Sequence, residues 1–143
     1  MTIKSLSKQS VSQILELYDG NFSDGWSQNM LNSGFDGGRL FAFGVFNEQQ
    51  LVGVITFSLG VDDADIEGVV VDKNYRGKGL AQSLIESAHS FIKEKGIQKV
   101  LLEVRQTNTP AINLYQKVGY KQISVRKNYY SDGENALVLI KEF

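Results

Sequence analysis

A chain of 143 residues, 42% hydrophobic and 22% charged, has an ordinary globular composition and is long enough to bury a substantial core. Its formal net charge of −1 provides no general attraction to nucleic acid or to an anionic membrane, so any anion binding must be local. With no cysteine, disulfides, thiolate metal sites and a cysteine nucleophile are excluded together.

No linker, repeat or low-complexity tract divides the sequence, which predicts one domain over residues 1–143. Met1 to Gln9 is polar, and no stretch approaches the roughly 18 apolar residues of a membrane span. A cytoplasmic protein is the expectation. Ile3 to Leu6 alternates as a short edge strand would. Ser7 or Ser10 can cap a helix whose apolar positions are Val11, Ile14, Leu15 and Tyr18, with Gly20 as its stop. Asn21 to Gly38 is glycine-rich and irregular, with a short helix predicted over Ser27 to Asn32. Within it, Phe22 and Trp26 have two readings: they close the core beneath a loop, or they wall an acceptor groove. Leu40 to Phe46 and Leu51 to Leu59 read as a hairpin across Asn47 to Gln50. Asp62, Asp63 and Asp65 lack the ligand spacing of a calcium loop and read as a solvated turn into the strand Ala64 to Val71.

The stretch Glu67 to Ala88 carries the strongest signal. The valine run Val69, Val70, Val71 passes through a polar turn into Arg76-Gly77-Lys78-Gly79-Leu80-Ala81, and a helix is predicted from Lys78 to Lys95 with Gly96 as its stop. Leu80, Leu84, Ile85, Ala88, Phe91 and Ile92 form its apolar stripe. The first turn of a helix has unpaired N–H groups and partial positive charge. Glycines at 77 and 79 allow close approach, and Arg76 and Lys78 add formal charge, so the turn is read as an anion site and not merely a polar connection. Lys78 is not followed by Ser or Thr, and Gln82 stands where a dinucleotide fingerprint needs glycine, so both familiar phosphate loops fit poorly. His89, the only histidine, lacks a second metal-type ligand at helical spacing and reads as a residue flanking the stripe.

In the next strand, Lys99 to Arg105, Val100, Leu102 and Val104 share one face while Leu101, Glu103 and Arg105 share the other. A carboxylate in such a strand is costly unless paired or open to a cleft. Glu103 therefore either pairs with Arg105 or a neighbouring strand, or serves a site. Thr109 as cap and Pro110 in the first turn open a helix with Ala111, Leu114, Tyr115 and Val118 inward, and Gly119 stops it. Tyr115 is core, or its hydroxyl meets a bound cofactor. Tyr120 to Val125 pairs with Ala136 to Ile140, with a turn signal at Asp132-Gly133. Tyr129 and Tyr130, adjacent on the connection, read as contact residues.

Arg76, Gly79 and Ala81 complete an R-x-x-G-x-A pattern after Val-Val-Val-Asp, which resembles the acetyl-CoA motif of the GCN5-related N-acetyltransferases (GNAT). The order of elements resembles that family over nearly the whole chain. Leu102-Glu103-Val104-Arg105 with Asn108, Ala111-Ile112-Asn113-Leu114-Tyr115, and Arg126-Lys127-Asn128-Tyr129-Tyr130 are most similar to its ribosomal-protein alanine N-acetyltransferase (RimI) group. The resemblance implies an α/β (α+β) acyltransferase fold, with a mixed, mostly antiparallel sheet flanked by helices. It implies Glu103 as general base and Tyr115 as general acid. Val69, Val70 and Val71 would hold the pantetheine arm, Gly77, Lys78, Gly79, Leu80, Ala81 and Gln82 the diphosphate, and Asn108 a further part of acetyl-CoA. Trp26, Tyr129 and Tyr130 would flank the acceptor. It implies no metal, no nucleic acid, no membrane, and a monomer or homodimer acting on a protein N terminus, possibly ribosomal. Gly25 and Lys73 stand where the family usually has proline, and Glu134-Asn135 where it has Glu-Asp. These departures leave the cofactor site untouched and keep other acceptors open: a polyamine, an aminoglycoside, or none, as in a non-catalytic acyl-CoA-binding module.

Overall fold

The run Leu51 to Phe57 buries every one of its residues, which a strand covered on a single face cannot do, so both faces of its sheet are packed. The computed structural model describes residues 1–143. In it the chain forms β1 (Thr2–Leu6), α1 (Val11–Tyr18), α2 (Gln28–Asp36), β2 (Leu40–Asn47), β3 (Gln50–Leu59), β4 (Asp63–Val71), α3 (Leu80–Glu94), β5 (Lys99–Arg105), α4 (Thr109–Lys117), β6 (Lys121–Arg126) and β7 (Ala136–Glu142). The strands make one mixed, mostly antiparallel sheet in the order β1-β2-β3-β4-β5-β7-β6, in which only β4 and β5 run parallel. A parallel pair needs a crossover, and α3 supplies it.

Alternation divides the apolar residues between two cores. Ile55, Phe57, Val100 and Leu102 pack with Leu84, Ile85 and Ile92 of α3 on one face. Ala42, Val54 and Val70 pack with Ile14, Leu17 and Leu31 of α1 and α2 on the other. Burying each large side chain contributes about 2 kcal/mol, which the short helices need because their own propensities are weak.

Two irregularities position the site. The β4–β5 ladder runs only from Asp63 and Lys99 to Ile66 and Leu102, after which the strands part. The β3–β4 register jumps between Gly68 and Ile66, so Glu67 is the extra residue of a bulge at the point of parting.

Several boundaries differ from the sequence reading. Helix α3 begins at Leu80 rather than Lys78, because Gly79, its cap, has a left-handed φ of 77°. Helix α2 continues to Asp36, started by Ser27 accepting a hydrogen bond from the Met30 N–H. Asn47 and Gln50 pair with each other, which tightens the hairpin turn to Glu48 and Gln49. Asn108 takes the capping place expected of Thr109, its Oδ1 accepting from the Ala111 N–H at 3.3 Å. His89 does not merely flank the stripe: it is buried, and its Nε2 shares a 2.6 Å hydrogen bond with the Tyr120 hydroxyl. Asp63 leaves the solvated turn for the start of β4, and Asp65, within that strand, lines a cavity.

Candidate active site

Where β4 and β5 part, a cavity of about 790 Å³ opens, lined from five parts of the chain. Seven of the residues singled out from sequence meet there: Trp26, Val69, Glu103, Asn108, Tyr115, Tyr129 and Tyr130. Val70 and Val71 are buried in the packed core, and the loop from Arg76 to Gln82 lies beyond the cavity.

Glu103 reaches the cavity because its strand neighbours Leu102 and Val104 take the opposite, buried face. Its partner is not Arg105: Arg126 Nε stands 3.5 Å from Glu103 Oε1, across the sheet from β6. The Glu103 carboxylate is also the main influence on the Tyr129 hydroxyl, whose pKa it raises. Glu103 therefore lines the cavity with Arg126 as its ion-pair partner.

Tyr115 enters from α4 and is buried, 8% exposed. Burial first, and the neighbouring Tyr130 second, push its pKa up, so the hydroxyl keeps its proton at neutral pH. No buried side-chain polar atom in the structure is left orphaned, so this oxygen is open to the cavity it lines.

Trp26 and Phe22 do not belong to the core alone. They pack against the core beneath α1 and also line the cavity. Phe22 lies so close to Gly68 that a Cβ there would come within 3.0 Å of its ring.

Arg105 ties together the loops that carry Asp24, Asp132 and Glu134, a contact the sequence did not reveal. Its Nε and Nη2 donate to the two carboxylate oxygens of Asp24 at 2.8 and 2.9 Å. Its Nη1 donates to Asp132 and Glu134, each at 2.8 Å, and its guanidinium lies 4.1 Å from the centre of the Tyr130 ring. These partners, Asp24 foremost, push its pKa up and fix its charge. Burial, with help from Asp24, pushes the Tyr130 hydroxyl up to about 12.

Two further carboxylates line the cavity, Asp65 and Glu67. Alternation with Ala64 and Ile66 puts them on the Glu103 face, a signal present in the sequence, where Asp65 was grouped with a solvated turn and Glu67 was given no site role. Burial is the main cause of the raised pKa of each.

On the other side of the parting, β4 beyond Ile66 has no ladder partner on its β5 edge. Backbone groups on that edge are free to bond an extended ligand. Gly77 and Gly79 have φ of 79° and 77°, and a Cβ at either would meet nothing within 4 Å. They are needed for the left-handed turn and leave open space before α3, whose first turn has neither an acidic residue nor a side-chain cap. Arg76 is turned back, its Nε donating to the Val71 carbonyl at 3.1 Å, and braces the loop. Gln82 borders a second cavity of about 700 Å³ with Lys93, Lys117 and Lys141. An uncapped helix start, a glycine turn and an unpaired strand edge in sequence fit a diphosphate joined to a long amide-bearing arm.

Residues 11–120 match the model of the acetyltransferase (GNAT) family. A relative from Bacillus subtilis, a putative ribosomal protein bS18-alanine N-acetyltransferase, is 29% identical over 139 residues, covering 96% of this chain and 92% of its own. The crystal structure of the ribosomal-protein alanine N-acetyltransferase from Escherichia coli superposes with a TM-score of 0.90 at 26% identity, over 99% of this chain and 92% of that one. The NatC complex bound to Gag peptide and CoA has a chain with a TM-score of 0.86 at 20% identity, covering 100% and 99%, a likeness of fold.

Proposed function

The chain belongs to the acetyltransferase (GNAT) family and is an acetyl-CoA-dependent N-acetyltransferase, and from that premise we propose that its acceptor is the α-amine of a protein N terminus. The observation that carries this reading is the acceptor-side cavity, where Glu103 and Tyr115 meet between aromatic walls of Trp26, Tyr129 and Tyr130. The B. subtilis and E. coli proteins are named for the alanine N terminus of a ribosomal protein, and we extend that acceptor class to this chain. Residues 1–143 work as one catalytic unit.

The Gly77 to Gln82 turn and the start of α3 would hold the diphosphate of acetyl-CoA, with Lys78 adding charge. The free edge of β4 at Val69 to Val71 would hold the pantetheine arm, and Asn108 would contribute its side-chain amide. Acetyl-CoA supplies the acetyl group as a thioester. The chain's own residues then align the amine and move two protons. An N-terminal amine has a pKa near ~7.7 to 8, so a substantial fraction is neutral at physiological pH and a modest base suffices. Glu103, directly or through water, takes one proton as the new C–N bond forms. Tyr115, which keeps its hydroxyl proton, gives it to the departing sulfur as the C–S bond breaks. N–H groups on the free β4 edge stabilise negative charge on the carbonyl oxygen.

Thiol release from acetyl-CoA tests the acceptor. Short peptides with free N termini are expected to be turned over, and blocked copies, polyamines and aminoglycosides are not. Release with small amines alone overturns the acceptor while leaving the family intact.

A further inference from the structure

A guanidinium carries five N–H donors in a rigid fork, and at Arg105 four of them are spent on carboxylates of the chain itself. Nε and Nη2 grip both oxygens of Asp24, while Nη1 is divided between Asp132 and Glu134. Tyr130 lies over the guanidinium. One N–H is left, so although Arg105 lines the cavity it has little to offer a substrate directly and acts through what it holds.

What it holds are two segments that each supply aromatic residues to the cavity. Asp24 stands between α1 and α2 beside Trp26, and Asp132 and Glu134 stand between β6 and β7 beside Tyr129 and Tyr130. The two segments are anchored unequally. Glu134 also accepts from the Thr107 N–H at 2.9 Å and from the Thr107 hydroxyl, and the Asn135 carbonyl accepts from the Gln106 N–H at 3.1 Å, so the β6–β7 connection is fastened to the end of β5 without Arg105. The stretch Ser23 to Trp26 makes no backbone–backbone hydrogen bond. Its polar tie is the bidentate pair of Asp24 with Arg105, and its other support is the packing of Trp26 on the second core.

We propose that Arg105 is a positioning residue for the acceptor, which fixes the Asp24–Trp26 segment relative to Tyr130 and so shapes the groove before an acceptor arrives. This rests on the reading of the cavity as the acceptor groove. Without the tie the segment spends part of its time elsewhere, and apparent acceptor affinity falls by the fraction of molecules that keep the binding shape. Once an acceptor is bound, the groove is complete and the transfer step is unchanged. The three carboxylates should not contribute equally. The side chain of Asp132 is 60% exposed, against 29% for Asp24 and 20% for Glu134, and exposed pairs contribute little. An ammonium cannot reproduce the fork, so charge alone does not replace Arg105.

The test measures kcat and acceptor KM with a short peptide bearing a free N terminus, and acetyl-CoA affinity by calorimetry. In Arg105→Gln the acceptor KM is expected to rise about tenfold or more, with kcat within about threefold and acetyl-CoA affinity within about twofold of wild type. Asp24→Asn should reproduce this pattern, Arg105→Lys should restore it only in part, and Asp132→Asn should stay near wild type. KM does not depend on the fraction of folded enzyme, so a merely structural loss lowers kcat and leaves KM alone. That result, or acetyl-CoA affinity falling as far as acceptor affinity, overturns the proposal. If Arg105→Gln does not fold, Asp24→Asn decides: a wild-type KM there overturns it equally. Turnover of polyamines but of no peptide overturns the N-terminal reading, and the same KM comparison made with the polyamine then decides the role of Arg105.

Discussion

Glu103 and Tyr115 come to one cavity from a strand and a helix, and the two supports give them different chemistry. Glu103 sits among polar side chains, 3.5 Å from Arg126 and close enough to raise the pKa of Tyr129. Tyr115 sits in apolar packing that keeps its proton on. Glu103→Gln preserves shape and removes the base, so kcat should fall by about 100-fold or more, with acetyl-CoA affinity within about twofold. Tyr115→Phe should lower kcat comparably and leave the melting temperature unchanged, since no internal hydrogen bond is lost. Turnover and calorimetry on the two variants check this, and wild-type kcat in either contradicts the assigned role. Alternation placed Glu103 on the face away from Leu102 and Val104 but left its pairing open, and its role as base came only from the resemblance. The partners of Arg105 were not legible, because Asp24 and Asp132 lie 81 and 27 residues away and nothing local announces them. Glu67 was legible in principle, but its re-aiming by the bulge depends on pairing with β3.

At the scale of elements, helix α3 and the turn before it were readable because glycines, basic residues and an apolar stripe coincide over a short stretch. The alternation of β5 was equally plain and holds in full. Caps were harder, since Asn108 and Thr109 are both good caps and only backbone geometry chooses between them. His89 shows how docking of α3 overrides a local reading. Burial first, then Lys141 and Lys93, pushes its pKa down to about 4, so it is neutral in the folded chain. The unfolded chain, with a histidine pKa near ~6.5, binds more protons between these values. The contribution of His89 to stability is thus fully present above about pH 6.5 and lost as pH falls toward 4, by at most about 3 kcal/mol. Urea unfolding at pH 7 and pH 5 should show this loss, and His89→Gln should flatten it. An identical pH dependence in the variant contradicts the account.

The whole molecule depends on one departure from regularity, the parting of β4 and β5. Composition and periodicity predict strands and helices in the right order, but they do not say that a parallel ladder stops at Ile66 and Leu102. That feature opens the cavity on one side of the parting and leaves a backbone edge of β4 without a ladder partner on the other, and no part of the sequence reading announced it. Opening a sheet there exposes polar backbone that bound ligand can satisfy, so substrate binding should complete the structure as well as the site. The central claim is that the groove presents an N-terminal α-amine to the thioester. Its most direct test is to incubate the protein with acetyl-CoA and one free peptide that also contains an internal lysine, then locate the added acetyl group by tandem mass spectrometry. The account predicts acetyl on the α-nitrogen and none on the lysine side chain. Acetyl on the lysine alone, with the α-amine untouched, contradicts it.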